Sequence, residues 1–198
     1  MLLKIENLFH KFSNVLGKIT TFTIILMILN VFYDVVMRYF FKHGSIAMQE
    51  MEWHLFSIII LVGISFTLNE DVNGHVRVDI IYDKLSYKRK AMINMLGSLL
   101  FILPLALVIG FDSIGNAREA FDMMEQSGDP GGLPYRWIVK TLIPVSFFIL
   151  AISSLGYFVK NLNVYRGDEK LPAHLLTNEI EEIKASLQTQ TKTQEKNS

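Results

Sequence analysis

Three charged residues set against long apolar runs are the first candidates for chemistry. Asp34 and Arg38 stand four apart, so a helix would put them on one face, close enough to pair. Glu52, just inside the next apolar run, is a second carboxylate within reach of Arg38 across a short connection. Charge inside lipid is expensive and often marks a proton or ion relay. These three groups, however, lie near the ends of their runs. There a guanidinium that binds a carboxylate through two parallel N–H groups serves more simply as a clamp. The clamp would join the first two helices to each other or to a partner subunit. The expected pair is Arg38–Glu52, with Asp34 assisting. The middles of the second, third and fourth apolar runs contain no Asp or Glu. A self-sufficient proton-coupled transporter would need a titratable group there.

Other chemistries lack their residues. The chain has no cysteine, which excludes disulfides, thiolate metal sites and cysteine nucleophiles. Of His10, His43, His54, His75 and His174, only His54 approaches the interior of an apolar run. A haem-binding bundle needs axial histidines within its helices. A di-iron site needs Glu-x-x-His on two helices, and that spacing does not occur. Glu50 and His54 can share a helix face, but two groups do not make a metal site. No dinucleotide, Walker, nucleophile-elbow or zinc motif is present. The expectation is a protein that is not an enzyme and has no cofactor. The run Ser-Gly-Asp-Pro-Gly-Gly-Leu-Pro at 127–134 is not a phosphate cradle, because no strand precedes it and no Lys-Ser/Thr follows. It reads as a rigid turn whose Pro134 and Tyr135 set the entry to the next helix. Asp129, Pro130, Gly131, Gly132 and Arg136 there form either a docking surface or a plain connector.

The elements that position these residues follow from composition. Of the 198 residues 51% are hydrophobic, and they gather into four blocks with the charges between them. That segregation marks an all-α membrane protein rather than a soluble protein with a large core. Net charge is zero, so nothing favours nucleic acid. Spans are expected at about 19–41, 48–68, 91–111 and 137–159, each long enough to cross a hydrocarbon core of about 30 Å. Pro104 falls mid-span, which a membrane helix accommodates when neighbours re-satisfy the freed carbonyl. Tyr39, Trp53, Tyr135, Trp137 and Tyr157 fall near span boundaries, as interfacial aromatics do. Ahead of the first span, Leu2, Ile5, Leu8, Phe9, Phe12, Val15, Leu16 and Ile19 recur at helical spacing. They predict an amphipathic helix over 2–19 that lies at the membrane surface. The first block is too long for a signal-peptide core and lacks a small-residue cleavage site, so it reads as a retained span. Val76, Val78, Ile80 and Ile81 make the second loop interfacial as well. The four-span domain is expected to occupy 1–166. Residues 167–198 form a polar tail, partly disordered, with a short helix possible over 177–187.

Orientation follows from Lys and Arg. Lys4, Lys11 and Lys18 precede span one; Arg77, Lys84, Lys88, Arg89 and Lys90 fill the second loop; Lys160, Arg166 and Lys170 close span four. The first loop has only Arg38 and Lys42 at its edge, and acids outnumber Arg118 and Arg136 in the third. The positive-inside rule therefore puts both termini and the second loop in the cytoplasm.

Three segments carry a family resemblance. They are Asp-Val-Val-Met-Arg-Tyr-Phe-Phe at 34–41, Glu-Met-Glu-Trp at 50–53 and Gly-His-Val-Arg-Val-Asp at 74–79. Their order and spacing resemble the small, DctQ-like membrane subunit of tripartite ATP-independent periplasmic (TRAP) transporters, over about residues 10–165. The Asp-Pro-Gly-Gly-Leu-Pro-Tyr-Arg-Trp run at 129–137 resembles one subgroup of that family, whose substrate labels say little about substrate. The polar tail departs from the family pattern. The resemblance implies a bacterial inner-membrane scaffold subunit. Its partners would be a large multi-span subunit that holds the substrate and ion sites, and a periplasmic binding protein that delivers an anionic organic solute. Asp34, Arg38, Glu52, His75, Arg77 and Asp79 would then be structural or interface residues. Two readings from other classes stand beside it: a membrane anchor of a respiratory enzyme, and a self-sufficient small transporter.

Overall fold

A computed structural model describes residues 2–70 and 85–166. Four rods of helix run antiparallel. Helix α1 is Leu2–Tyr39 and α2 is Ile46–Glu70. Helix α3, Tyr87–Gly97, passes through a π-helical segment, Ser98–Ile102, into α4, Leu103–Asp122. Helix α5 is Trp137–Arg166. All four rods are long and apolar enough to cross a membrane. The spans expected at 48–68, 91–111 and 137–159 fall inside them, whereas the one expected at 19–41 runs two residues past the end of α1. The lead-in expected over 2–19 is continuous with the first span: α1 runs 38 residues without a break, about 57 Å at helical rise. The interfacial second loop and the tail helix lie outside the described residues.

The π-helical segment has an identifiable cause. Pro104 has no N–H, and its ring clashes with the carbonyl one turn back. The chain widens just before it, so that Leu103 N–H bonds Ser98 O, five residues behind. A membrane helix that lost this carbonyl bond would expose a backbone group to lipid, which is costly. Pro144 in α5 is buried and the helix continues through it.

The packing is inverted relative to a water-soluble fold. Among the described residues the largest side chains with under 2% exposure are Ser13, Ser65, Ser98, Ser153 and Ser154. Ala106, Gly110, Ala117 and Ala120 are the buried residues of α4. Meanwhile Phe22, Leu29, Phe32, Phe101, Val108 and Phe111 are each more than half exposed. Leaving such a side chain in water instead of burying it forgoes about 1.5–3 kcal/mol. With 39 large apolar residues exposed among the described residues, the sum would far exceed a net stability of about 5–15 kcal/mol. Lipid is the solvent in which this surface is stable.

Helix α5 is the centre. It packs on α1, on α2 and on the α3–α4 rod, while α1 pairs mainly with α2. Small residues set the close approaches. A Cβ added to Gly17 of α1 would lie 2.5 Å from the Phe66 ring of α2. One added to Gly156 of α5 would lie 2.8–2.9 Å from Phe9 Cβ, Cγ and Cδ1 on α1. The Gly156 contact reaches the root of the Phe9 side chain, so rotation of the ring does not relieve it. Gly156→Ala is therefore expected to push α1 off α5 and cost roughly 1–3 kcal/mol. Gly115, with nothing within 4 Å, is the control. Gly115→Ala should be neutral or stabilise by up to about 1 kcal/mol. Thermal unfolding of the two variants in detergent checks this; equal midpoints would show that the α1–α5 contact is not close.

Candidate functional site

The charged and amide side chains that bond across the structure collect toward the two ends of the bundle. At the end that carries the connections 40–45 and 123–136, Glu50 in the first turns of α2 is the organiser. Its Oε1 accepts a hydrogen bond from Ser127 Oγ, and its Oε2 accepts the Leu133 N–H at 2.6 Å. Both partners lie in the Gly/Pro loop, about eighty residues away in the chain.

That loop is shaped by local rules. Helix α4 ends with Met124 in the left-handed region (φ 46°). Glu125 N–H bonds Ala120 O at 2.9 Å and Met124 N–H bonds Phe121 O at 3.0 Å. This is the paired-bond helix stop that glycine usually provides. Beyond it, Asp129 N–H bonds Ser127 Oγ, Gly132 N–H bonds Asp129 O, and Ser127 N–H bonds Leu133 O. Gly131 takes φ 83°, which favours glycine. A Cβ on Gly132 would lie 2.3 Å from Ser127 Oγ and 2.9 Å from Glu50 Oε2. The loop closes on the carboxylate only because that position has no side chain. Arg136 N–H then bonds Glu125 O at 2.9 Å, and Lys140 Nζ on α5 bonds Glu125 Oε2 at 2.6 Å. Phe121 and Trp137 meet edge to face across the same connection, with ring centroids 5.0 Å apart.

Of the expected site residues, Asp34 and Arg38 do pair, through Asp34 Oδ2. Asp34 is buried and the Arg38 side chain is 44% exposed. Glu52 does not take part: among the described residues the ion-pair partner of Arg38 is Asp34. The expected Arg38–Glu52 bridge is replaced by two separate ties. Asp34, one turn back on the same face, captures Arg38. Two residues of helix turn the chain by about 200°, so Glu50 and Glu52 face opposite ways and Glu50 takes the loop. A third tie is Asn30 Nδ2 on α1 to Met48 O at 3.0 Å. Asp129, Pro130, Gly131 and Arg136 are exposed, and Gly132 is half-buried beneath them. His75, Arg77 and Asp79 lie outside the described residues. His54 Nδ1 contacts the Glu50 carbonyl oxygen, 2.6 Å away within α2.

The opposite end is also tied by hydrogen bonds. Asn163 Nδ2 donates to Glu6 Oε2 at 2.5 Å, joining α5 to α1. Asn94 Nδ2 donates to Asn161 Oδ1 at 2.9 Å, and Ser98 Oγ donates to Ser154 O at 2.8 Å, joining α3 and the π segment to α5. Sequence reasoning missed this set. Its only signal was polar residues within the last turns of an apolar helix.

The arrangement defines a multi-pass membrane protein whose polar groups fasten helices to one another. The family model described as "Tripartite ATP-independent periplasmic transporters, DctQ component" matches residues 27–163. A relative from Haemophilus influenzae, named provisionally as a TRAP transporter small permease protein, is 25% identical over 166 residues. The match covers 83% of this chain and 99% of that protein. The chain belongs to the DctQ family and is a small membrane component of a TRAP transporter.

The Glu50 geometry predicts a measurable effect. Glu50→Gln keeps the shape but removes the charge that strengthens both bonds. Hydrogen exchange at the Leu133 amide should accelerate about tenfold or more. Exchange within α4 should stay unchanged. Unchanged exchange at Leu133 would mean that the loop holds itself without Glu50.

Proposed function

We propose that this chain is the static scaffold of a TRAP-type secondary transporter. In this reading it braces a large multi-span subunit that carries out ion-coupled uptake of an anionic organic solute, delivered by a periplasmic binding protein. One observation carries the reading: at both ends of the bundle, polar side chains are engaged in ties between one helix and another or between a helix and a loop. Glu50 spends both carboxylate oxygens on the loop, and Asn163, Asn94 and Ser98 reach across to neighbouring helices. A rigid bundle with an apolar exterior suits a brace. Family membership supports the two partners, because the TRAP system is tripartite.

The orientation is part of the proposal. Both termini and the second loop face the cytoplasm, and the Glu50-bound loop faces the periplasm, where Asp129, Pro130, Gly131, Gly132 and Arg136 form a docking surface. Single cysteines at Asp122 and Lys88 test the orientation in this cysteine-free chain. On spheroplasts the first should react with a membrane-impermeant thiol reagent and the second should not; the reverse pattern inverts the model. Affinity purification of the chain in mild detergent tests the partnership. It should recover a much larger membrane protein. A homo-oligomer alone, with solute uptake by reconstituted chain, would favour a self-sufficient transporter, and a haem spectrum would favour a respiratory anchor.

A further inference from the structure

The last turns of α1, the connection 40–45 and the start of α2 enclose a pocket of about 110 Å³. Tyr33, Asp34, Met37, His43, Ser45 and Met48 line it. Asp34 is only 2% exposed and its Oδ1 has no hydrogen-bond partner, while Oδ2 is taken by Arg38. A buried carboxylate oxygen without a donor is costly, and native structures rarely leave one so. Oδ1 is closed to a water-sized group as the pocket stands, so a donor seated in the pocket reaches it only when lining side chains such as His43 and Met48 give way. Arg38 is complementary. Its guanidinium has five N–H donors, one nitrogen faces Asp34, and the side chain is 44% exposed. An acceptor-hungry cation and a donor-hungry anion thus stand one helical turn apart.

The site also lies at headgroup depth. Tyr39 and Trp53, 74% and 70% exposed at the same end of the bundle, are the side chains that settle at a membrane–water interface. We propose that the pocket binds the headgroup of a phospholipid that carries a primary ammonium. The ammonium N–H bonds Asp34 Oδ1, and the phosphate bonds the outward N–H groups of Arg38. A zwitterion of this kind satisfies both residues and adds no net charge. A choline headgroup has no N–H to donate. A glycerol headgroup brings an unbalanced negative charge beside Asp34. The inference concerns the chain alone and does not depend on its role in transport.

Native mass spectrometry of the full chain in detergent tests it, with phosphatidylethanolamine, phosphatidylcholine and phosphatidylglycerol of identical acyl chains. Wild type should retain the ethanolamine lipid about tenfold more tightly than the choline lipid. Asp34→Asn, isosteric, should abolish that preference. Arg38→Gln should weaken retention of all three through the lost phosphate contact. Helicity and thermal midpoint of each variant establish that it is folded. The wild-type comparison needs no variant at all. Equal retention of ethanolamine and choline lipids by wild type would overturn the proposal and assign Asp34 Oδ1 to a donor from another chain. A preference that survives in Asp34→Asn would overturn it too.

Discussion

Helices in lipid gain nothing from hiding leucine from leucine, because the solvent is as apolar as the side chain. This one constraint organises the bundle. Association has to come from close backbone approach and from hydrogen bonds between helices. Gly17 against Phe66 and Gly156 against Phe9 supply the first. Ser98 to Ser154, Ser13 Oγ to Phe66 O at 3.2 Å, and Asn30 to Met48 supply the second. The interior therefore fills with serine, alanine and glycine, and phenylalanines such as Phe22, Phe32 and Phe101 turn outward. Each interhelical hydrogen bond is worth about 0.6 kcal/mol on average in a membrane. No single bond carries the fold; the set distributed over the α1–α2 contact and along α5 does.

The same constraint explains where the polar ties lie. Charge and amide groups are cheapest near the ends of the spans, where headgroups and water begin. Glu50, Asp34 and Arg38 occupy one end, and Glu6, Asn94, Asn161 and Asn163 the other. Tied at both ends, the four rods resist sliding past one another. That property fits a brace beside a moving partner.

Much of the fold was legible from composition. Four apolar blocks separated by charge become four rods, because length and hydropathy alone decide what can cross a bilayer. Even the register of α1 was half visible. Of the apolar positions read there, Leu8, Val15 and Ile19 face outward while Leu16 turns inward, and Ser13, Gly17 and Thr20 between them are buried. What spacing does not show is the long-range partner. Asp34 and Arg38 are local and were readable as a pair. Glu50 and Leu133 meet only through the tertiary path of the chain, and nothing in the first anticipates the second. Glu52 is the expected partner of Arg38, although Glu50 is the nearer carboxylate along the sequence. The helical turn between positions 50 and 52 decides otherwise. Gly132 was visible as part of a turn, but its need to lie bare against Glu50 was not. Continuity of α1 from Leu2 was likewise hidden, because an amphipathic lead-in and a span differ in composition but not in backbone.

We propose that the charged residues of this chain hold helices and partners together and do not move solute or ions. Arg38→Ala tests this most directly, with complex yield and solute uptake measured on one preparation. A holding role predicts that uptake falls in proportion to the complex lost, with uptake per assembled complex unchanged. Full assembly with the large subunit and no transport would contradict it.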